Sequence, residues 1–201
     1  SFGDWRMDVG LIDIGSELSG LSYETAIESD AFIGAKFKLN ALDNKKVTLE
    51  AKYILRNQPE GLTSDYDGDG STLSLVAIWD KKINIINTQF TGGYDMNDSK
   101  GMYQDNSMLN LGASGFYSIN EMLMMGGGLK YKQITYKETD PLKGTKENST
   151  ITTLSINGSY RNPLFYGIIF VGDITQKQKS SNVDNLRYST QTITISGVYI
   201  F

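Results

Sequence analysis

Asp65, Asp67 and Asp69 place carboxylates at every second residue of one short acidic stretch, and Gly70 and Ser71 follow directly. Carboxylate and hydroxyl oxygens are ligands that Ca²⁺ prefers, and a glycine permits the sharp turn that brings them around one ion. The sequence therefore predicts a calcium site formed by Asp65, Asp67, Asp69 and Ser71. The alternative is a plain acidic turn, because Asp and Gly also suit the connection between two strands.

The spacing resembles the first half of an EF-hand calcium loop, in which alternate oxygen ligands are followed by a glycine. Val76 stands where that loop has its bidentate glutamate, and the residues after it predict a strand and not a helix. Loss of this last ligand would weaken calcium binding. No other cofactor is predicted.

The chain contains no histidine and no cysteine. Histidine is the usual general acid or base near neutral pH, so its absence removes many hydrolytic mechanisms. The absence of cysteine removes disulfides and thiolate ligands. A carboxylate pair or a Ser–Lys arrangement stays open, but no spacing in the chain singles one out. We therefore predict that the protein is not an enzyme and has no catalytic residue.

Charged residues also recur at every second position inside otherwise apolar segments. Glu50 and Lys52, for example, alternate with Leu49, Ala51 and Tyr53. Side chains alternate between two faces along a strand, so each such segment predicts a strand with one apolar and one polar face. The charged members of the polar faces are Arg6, Asp8, Lys36, Lys38, Glu50, Lys52, Lys130, Lys132 and Arg161.

Ten segments of this kind are separated by turn signals, and they predict ten strands joined in series. The predicted strands are 4–14, 31–42, 46–55, 71–79, 83–94, 107–117, 122–136, 150–161, 164–174 and 187–201. Long connections are predicted at 15–30, 56–70, 95–106, 137–149 and 175–186. They alternate with short ones, among them Asp80-Lys81-Lys82. Extra pairing within 18–26 would give twelve strands, and eight is the other alternative.

The last segment, TITISGVYIF, ends in an aromatic residue. It resembles the closing strand of bacterial outer-membrane β-barrels, whose final aromatic belongs to the signal that the insertion machinery reads. Tyr199 and Phe201 match this insertion signal. An even strand number and connections that alternate in length are also features of these barrels. The resemblance implies an all-β fold, an antiparallel up-and-down transmembrane β-barrel of about ten strands in a single domain over 1–201.

Two features predict that the apolar face of this barrel points outward to lipid. Aromatic residues such as Trp79 and Tyr94 occur near strand ends, where membrane interfaces favour them. Small residues such as Ala51, Ala77 and Gly115 would pack poorly in a soluble core. The nine charged residues then line the lumen, seven of them basic and two acidic. In the alternative, the apolar face is the core of a soluble barrel.

The function that the barrel resemblance implies is a narrow, porin-like channel for small solutes, and the basic lining favours acidic ones. The alternatives are a non-conducting structural or surface-interaction barrel and a soluble ligand-binding β-barrel. The implied partners are outer-membrane lipid, lipopolysaccharide and the barrel-assembly machinery, whereas a net charge of −4 argues against nucleic acid. The expected location is the bacterial outer membrane, as a mature chain after removal of a signal peptide.

Overall fold

A computed structural model of the protein describes residues 4–15, 27–41, 45–57, 65, 69–161 and 168–199, with side chains described from residue 46 onward. These residues form one antiparallel sheet in which each strand pairs with the next strand of the chain. This confirms the all-β, up-and-down prediction. Among the residues that the structure describes, no helix is long and apolar enough to span a membrane.

The sheet contains ten strands of similar length. They are β1 (Asp4–Gly15), β2 (Ile27–Ala41), β3 (Lys45–Asn57), β4 (Gly70–Ile83), β5 (Ile86–Ser99), β6 (Asn106–Ser118), β7 (Leu123–Tyr136), β8 (Asn148–Arg161), β9 (Ile168–Ser181) and β10 (Tyr188–Tyr199). Two short 3₁₀ turns, Met102–Gln104 and Asp184–Leu186, lie in the connections that follow β5 and β9. The residues 18–26, where the sequence allows further pairing, lie outside the described part of the chain.

The connections leave the sheet at two opposite ends. We call one the turn end, where 42–44, 84–85, 119–122 and 162–167 join the strands. We call the other the loop end, where 16–26, 58–69, 100–105, 137–147 and 182–187 join them.

Asn84 and Ile85 form the turn between β4 and β5, not Asp80-Lys81-Lys82 as the sequence predicts. Asn84 has a φ of 53°, a left-handed conformation that asparagine adopts more readily than most residues. Asp80 lies within β4, where its carboxylate accepts a hydrogen bond of 2.9 Å from Gln89 Nε2 on β5. The predicted turn is wrong because cross-strand hydrogen bonds let a charged segment continue a strand.

Two predicted long loops are also wrong. β5 continues to Ser99 and β9 continues to Ser181, so the connections after them are 100–105 and 182–187. Both are shorter than predicted, but each is still longer than the connections 84–85 and 119–122 at the turn end, so short and long connections alternate wherever the structure describes their residues. The strands continue because polar residues still pair in the ladder, as Ser149 does with Ser181.

The paired residues form rows that run obliquely across the sheet. One row begins at Arg6, near the turn end of β1, and finishes at Tyr188, the first residue of β10 at the loop end. Its members are Arg6, Lys36, Glu50, Val76, Gly93, Asn110, Lys132, Ile151, Lys179 and Tyr188. Each strand is therefore shifted along its neighbour in a constant sense, which is the stagger that a closed barrel needs.

The two outermost strands each have one free edge within the described sheet. β1 pairs with β2 alone, and β10 pairs with β9 alone. A free edge presents a row of unpaired N–H and C=O groups.

Candidate functional site

The two faces of the sheet are exposed to different degrees, and the apolar face is the more exposed one. Leu111 on β6 has 47% of its surface exposed and Leu154 on β8 has 51%. No apolar side chain is buried among the described residues, whereas the buried side chains are all polar. They are Thr48, Thr72, Asn97, Asn106, Asp140, Glu147, Ser149 and Ser181. We call the more enclosed, polar face the inner face and the apolar face the outer face.

The predicted lumen residues share the register rows of the inner face. Glu50 and Lys52 lie on β3, Lys130 and Lys132 on β7, and Arg161 on β8. The other four, Arg6, Asp8, Lys36 and Lys38, are described by backbone position only. Arg6 pairs with Lys36, which pairs with Glu50. Asp8 shares a row with Lys52, and Lys38 pairs with Thr48. The structure therefore brings all nine residues onto one face by register.

A cluster of four lysines extends across β7, β8 and β9 on the inner face. Lys130 pairs with Thr153, which pairs with Lys177. In the next row, Lys132 pairs with Ile151, which pairs with Lys179. We call Lys130, Lys132, Lys177 and Lys179 the basic cluster.

Two members of the basic cluster have partners that hold their side chains. Lys179 Nζ lies 3.2 Å from Glu147 Oε1, and Lys177 Nζ lies 5.7 Å from the centre of the Tyr188 ring. Lys130 and Lys132 have no carboxylate within ion-pair distance in the described part of the chain. Residues two apart on a strand are separated by about 7 Å, and two unit charges at that distance repel by roughly 2 kcal/mol at an effective dielectric constant of about 20.

Several carboxylates of the inner face bond to partners other than the lysines of the basic cluster. Glu50 lies 3.7 Å from Lys52 on the same strand. Asp95 accepts a hydrogen bond of 2.8 Å from Asn110 Nδ2. Asp173 accepts one of 2.7 Å from Thr175 Oγ1. The wall formed by β7 to β9 is therefore strongly positive.

Near the loop end, a chain of hydrogen bonds connects buried side chains of three strands. Thr72 Oγ1 donates to Asn97 Oδ1 at 2.5 Å, and Asn97 Nδ2 donates to Asn106 Oδ1 at 2.7 Å. Asn106 Nδ2 then donates to the carbonyl of Gln104 at 2.8 Å. Arg56 Nη2 adds a bond of 2.9 Å to Ser99 Oγ. This network ties β3, β4, β5 and β6 together without apolar packing.

A second polar network orders the connection between β7 and β8. Glu147, which is 4% exposed, accepts hydrogen bonds from Lys143 Nζ at 2.8 Å and Ser149 Oγ at 2.7 Å. Lys179 Nζ donates a third hydrogen bond to the Glu147 carboxylate, at 3.2 Å. Lys143 also lies 3.4 Å from Asp140 Oδ2. We call Asp140, Lys143, Glu147, Ser149 and Lys179 the loop network.

The loop network shifts the pKa values of Glu147 and Lys143. Burial alone would raise the pKa of Glu147, but the hydrogen bonds from Lys143, Ser149 and Lys179 outweigh it and lower the pKa below its ordinary value. Burial alone would lower the pKa of Lys143, and the bond to Glu147 reverses this and raises the pKa. Both groups are therefore charged over the neutral range, and the network is an ion-paired one.

Of the four predicted calcium residues, the structure describes Asp65, Asp69 and Ser71. Asp69 forms an ion pair of 2.7 Å with Lys100, and Ser71 lies within β4. Asp65 is exposed, and Asp67 lies outside the described residues. The part of the chain with described side chains holds no group of three acidic side chains that would bind a metal. The calcium site stays a prediction.

One of the two residues of the predicted insertion signal, Tyr199, lies at the end of β10. Tyr199 is its last residue and is 57% exposed, while Phe201 lies outside the described residues. Four other aromatic residues of the outer face lie near the turn end, where Trp79 contacts Phe90 at 5.5 Å between ring centres and Tyr160 pairs with Phe170.

Comparison with protein-family models, curated proteins and solved structures finds no match to this chain. What can be argued about its function therefore rests on its own residues and geometry.

Sequence reasoning missed Lys177, Lys179 and Glu147. The segment 175–181 reads TQKQKSS, so both of its faces are polar and no apolar alternation indicates a strand. One signal was present, because Thr175, Lys177, Lys179 and Ser181 keep the spacing of a single face. Glu147 carried no signal, since its partners come from a loop and from a strand far along the chain.

Proposed function

We propose that this protein is a β-barrel of the bacterial outer membrane that forms a narrow, porin-like channel for small acidic solutes. The observation that carries the proposal is the reversed burial of the sheet. Large apolar side chains, such as Leu129 at 50% exposed, cover the outer face, and the buried side chains of the described residues are polar. Water would penalise such a surface, whereas lipid favours it.

The proposal includes closure of the sheet by pairing of β1 with β10. Lipid offers no hydrogen bonds to the free edges of these strands, so a sheet in a membrane must close. The constant stagger of the rows supports closure, because a barrel requires strand tilt and stagger together.

A channel through this barrel is supported by the small residues of the inner face. Gly93, Gly112, Gly126 and Gly128 occupy inner positions on β5, β6 and β7. They project no side chain of their own into the lumen, although the side chains of Thr91 and Asn157 lie close over Gly112 and Gly126. A positive wall next to open space would concentrate acidic solutes and repel cations.

A non-conducting structural barrel is the second candidate, and a specific observation favours it. The bonded side chains of Thr72, Asn97 and Asn106 fill the inner face near the loop end. Small barrels are often filled by their own side chains in this way. A soluble ligand-binding barrel has less support, because it would need an apolar core.

The proposed partners follow from the proposed location. They are outer-membrane lipid around the outer face, lipopolysaccharide at the loop end, and the barrel-assembly machinery during insertion. Tyr199 and Phe201 are the proposed insertion signal.

The test is conductance of the purified, folded protein in planar bilayers. The unboiled protein should first migrate faster on a gel than the boiled protein, as folded barrels do. We then expect single-channel steps in KCl and a reversal potential in a salt gradient that indicates preference for anions. Folded protein that inserts without conductance steps would support the non-conducting barrel, and protein that stays in solution without detergent would contradict both.

A further inference from the structure

We infer that Lys130, Lys132, Lys177 and Thr153 form a binding site for solutes that carry two or more anionic groups. This inference rests on the proposed channel, because the site faces its lumen. It goes further by assigning the site to one wall and by naming the class of solute. We call these four residues the anion site.

Register fixes the spacing of the anion site. Lys130 and Lys132 are two residues apart on β7, a distance of about 7 Å. Lys177 lies two strands away on β9, and two strand spacings amount to about 9–10 Å. Flexible lysine side chains can converge from these positions on a solute whose anionic groups lie several ångströms apart.

Thr153 lies between Lys130 and Lys177 in the same row. Its side chain is half-buried, and its hydroxyl supplies a neutral hydrogen-bond donor between two charged ones. The site therefore presents donors along a line and not at one point, which suits an extended anion more than a single chloride ion.

The positive charge of the anion site is not cancelled by carboxylates of the described residues. Lys130, Lys132 and Lys177 appear in no ion pair there, and the Tyr188 ring that contacts Lys177 is uncharged. Lys179 differs, because Glu147 binds it at 3.2 Å. We therefore leave Lys179 out of the site and assign it to the loop network.

The experiment measures binding of tripolyphosphate to the folded protein in detergent by titration calorimetry at low salt. K130Q/K177Q removes two charges from the anion site. K46Q/K82Q is the matched control, because it removes two charges from inner positions on β3 and β4, away from the site. K130R/K177R retains the charge.

We expect K130Q/K177Q to weaken tripolyphosphate binding about tenfold or more, because hydrogen bonds to charged groups contribute at least that factor. K46Q/K82Q and K130R/K177R should stay within about twofold of the unmodified protein. Orthophosphate should bind the unmodified protein at least tenfold more weakly than tripolyphosphate.

Equal losses in K130Q/K177Q and K46Q/K82Q would overturn the inference, because binding would then follow the overall charge. Unchanged binding in K130Q/K177Q would overturn it as well. The calorimetry does not depend on conductance. Site-dependent binding by a protein that forms no channel would therefore support the anion site and contradict the proposed channel.

Discussion

Among single residues, Glu147 connects the loop 137–147 to two strands, β8 and β9. It accepts from Lys143 in the loop, Ser149 at the start of β8 and Lys179 on β9. Since it is almost fully buried, these bonds are worth more than those of a surface ion pair. The order of the connection 137–147 should therefore depend on the charge of Glu147.

Acid should loosen the connection 137–147. The pKa of Glu147 is lower in the folded protein than its ordinary value of about 4.3, so its stabilisation is present above that value and is lost as pH falls through the lowered one. Protection of the backbone amides of 137–147 against hydrogen exchange, corrected for the intrinsic pH dependence of the exchange rate, should fall below about pH 4. In E147Q this protection should be lower at neutral pH and should not change in this acid window.

K146Q is the control for E147Q, because Lys146 is exposed on the same loop and forms no side-chain bond there. Its exchange should follow the unmodified protein. An acid transition of the same size in E147Q would contradict the assigned role of Glu147.

Asn97 is the central residue of the hydrogen-bond chain near the loop end that joins Thr72, Asn97 and Asn106. It is 6% exposed and bonds both Thr72 and Asn106. N97A would leave both partners unsatisfied, and we expect a loss of about 1–3 kcal/mol in the free energy of unfolding. The measurement is urea unfolding in detergent, followed by the fluorescence of the two tryptophans, Trp5 and Trp79.

N185A is the matched control for N97A, since Asn185 is exposed in the 3₁₀ turn Asp184–Leu186 and forms no side-chain hydrogen bond in the structure. Its unfolding free energy should change by less than about 0.5 kcal/mol. Equal changes in both variants would argue against the buried network.

At the scale of elements, each strand has to place its two faces in different surroundings. Leu154 and Ser155 are neighbours on β8, with Leu154 51% exposed on the outer face and Ser155 on the inner face. In a membrane, only the first position contacts lipid. In water, the exposed outer position would tolerate a charged substitution better than the inner position.

L154R and S155R test this difference within one strand. An arginine on the lipid face costs about 2–4 kcal/mol near the centre of a bilayer, whereas one facing the lumen costs much less. We expect L154R to fold into lipid vesicles with a clearly lower yield than S155R, measured as the fraction with faster migration on unboiled gels. The opposite order would indicate that the outer face meets water.

How well the elements could be predicted depended on whether a segment has an apolar face. β3 and β6 alternate throughout, and their predicted ranges differ from the observed ones by a residue or two. β9 extends through 175–181 without apolar residues, and the prediction ends it too early. Alternation of apolar and polar residues indicates a strand only where its two faces differ in polarity. It therefore gives no prediction where both faces of a strand are polar and the strand continues through backbone hydrogen bonds alone.

At the scale of the whole molecule, the absence of native cysteine makes the proposed closure of the barrel testable with introduced cysteine pairs. When the barrel closes, outer-face residues of β1 must pair with outer-face residues of β10. Because the two faces alternate along each strand, the total stagger around the barrel is then an even number of residues. A stagger of about ten residues pairs Val9 with Ile195, and one of about twelve pairs Leu11 with Ile195.

We expect a disulfide in either V9C/I195C or L11C/I195C after oxidation of the folded protein, measured by gel migration without reductant. The control is L154C/I195C, because β8 and β10 are separated by β9, and that distance is too long for a disulfide. Absence of a disulfide from both test pairs would mean that the sheet stays open or closes in another register.

The sequence by itself determined the number of strands, their serial antiparallel order and the polar faces that carry Glu50, Lys52, Lys130 and Lys132. These follow from a local cause, because alternation along one strand is a property of neighbouring residues. Tertiary structure decided the stagger of the rows, the more enclosed position of the polar face, the placement of Lys130 and Lys177 in one row and the ion pair of Glu147 with Lys179. Those depend on which residues pair across strands, and the hydrogen bonds of a ladder do not depend on side-chain type.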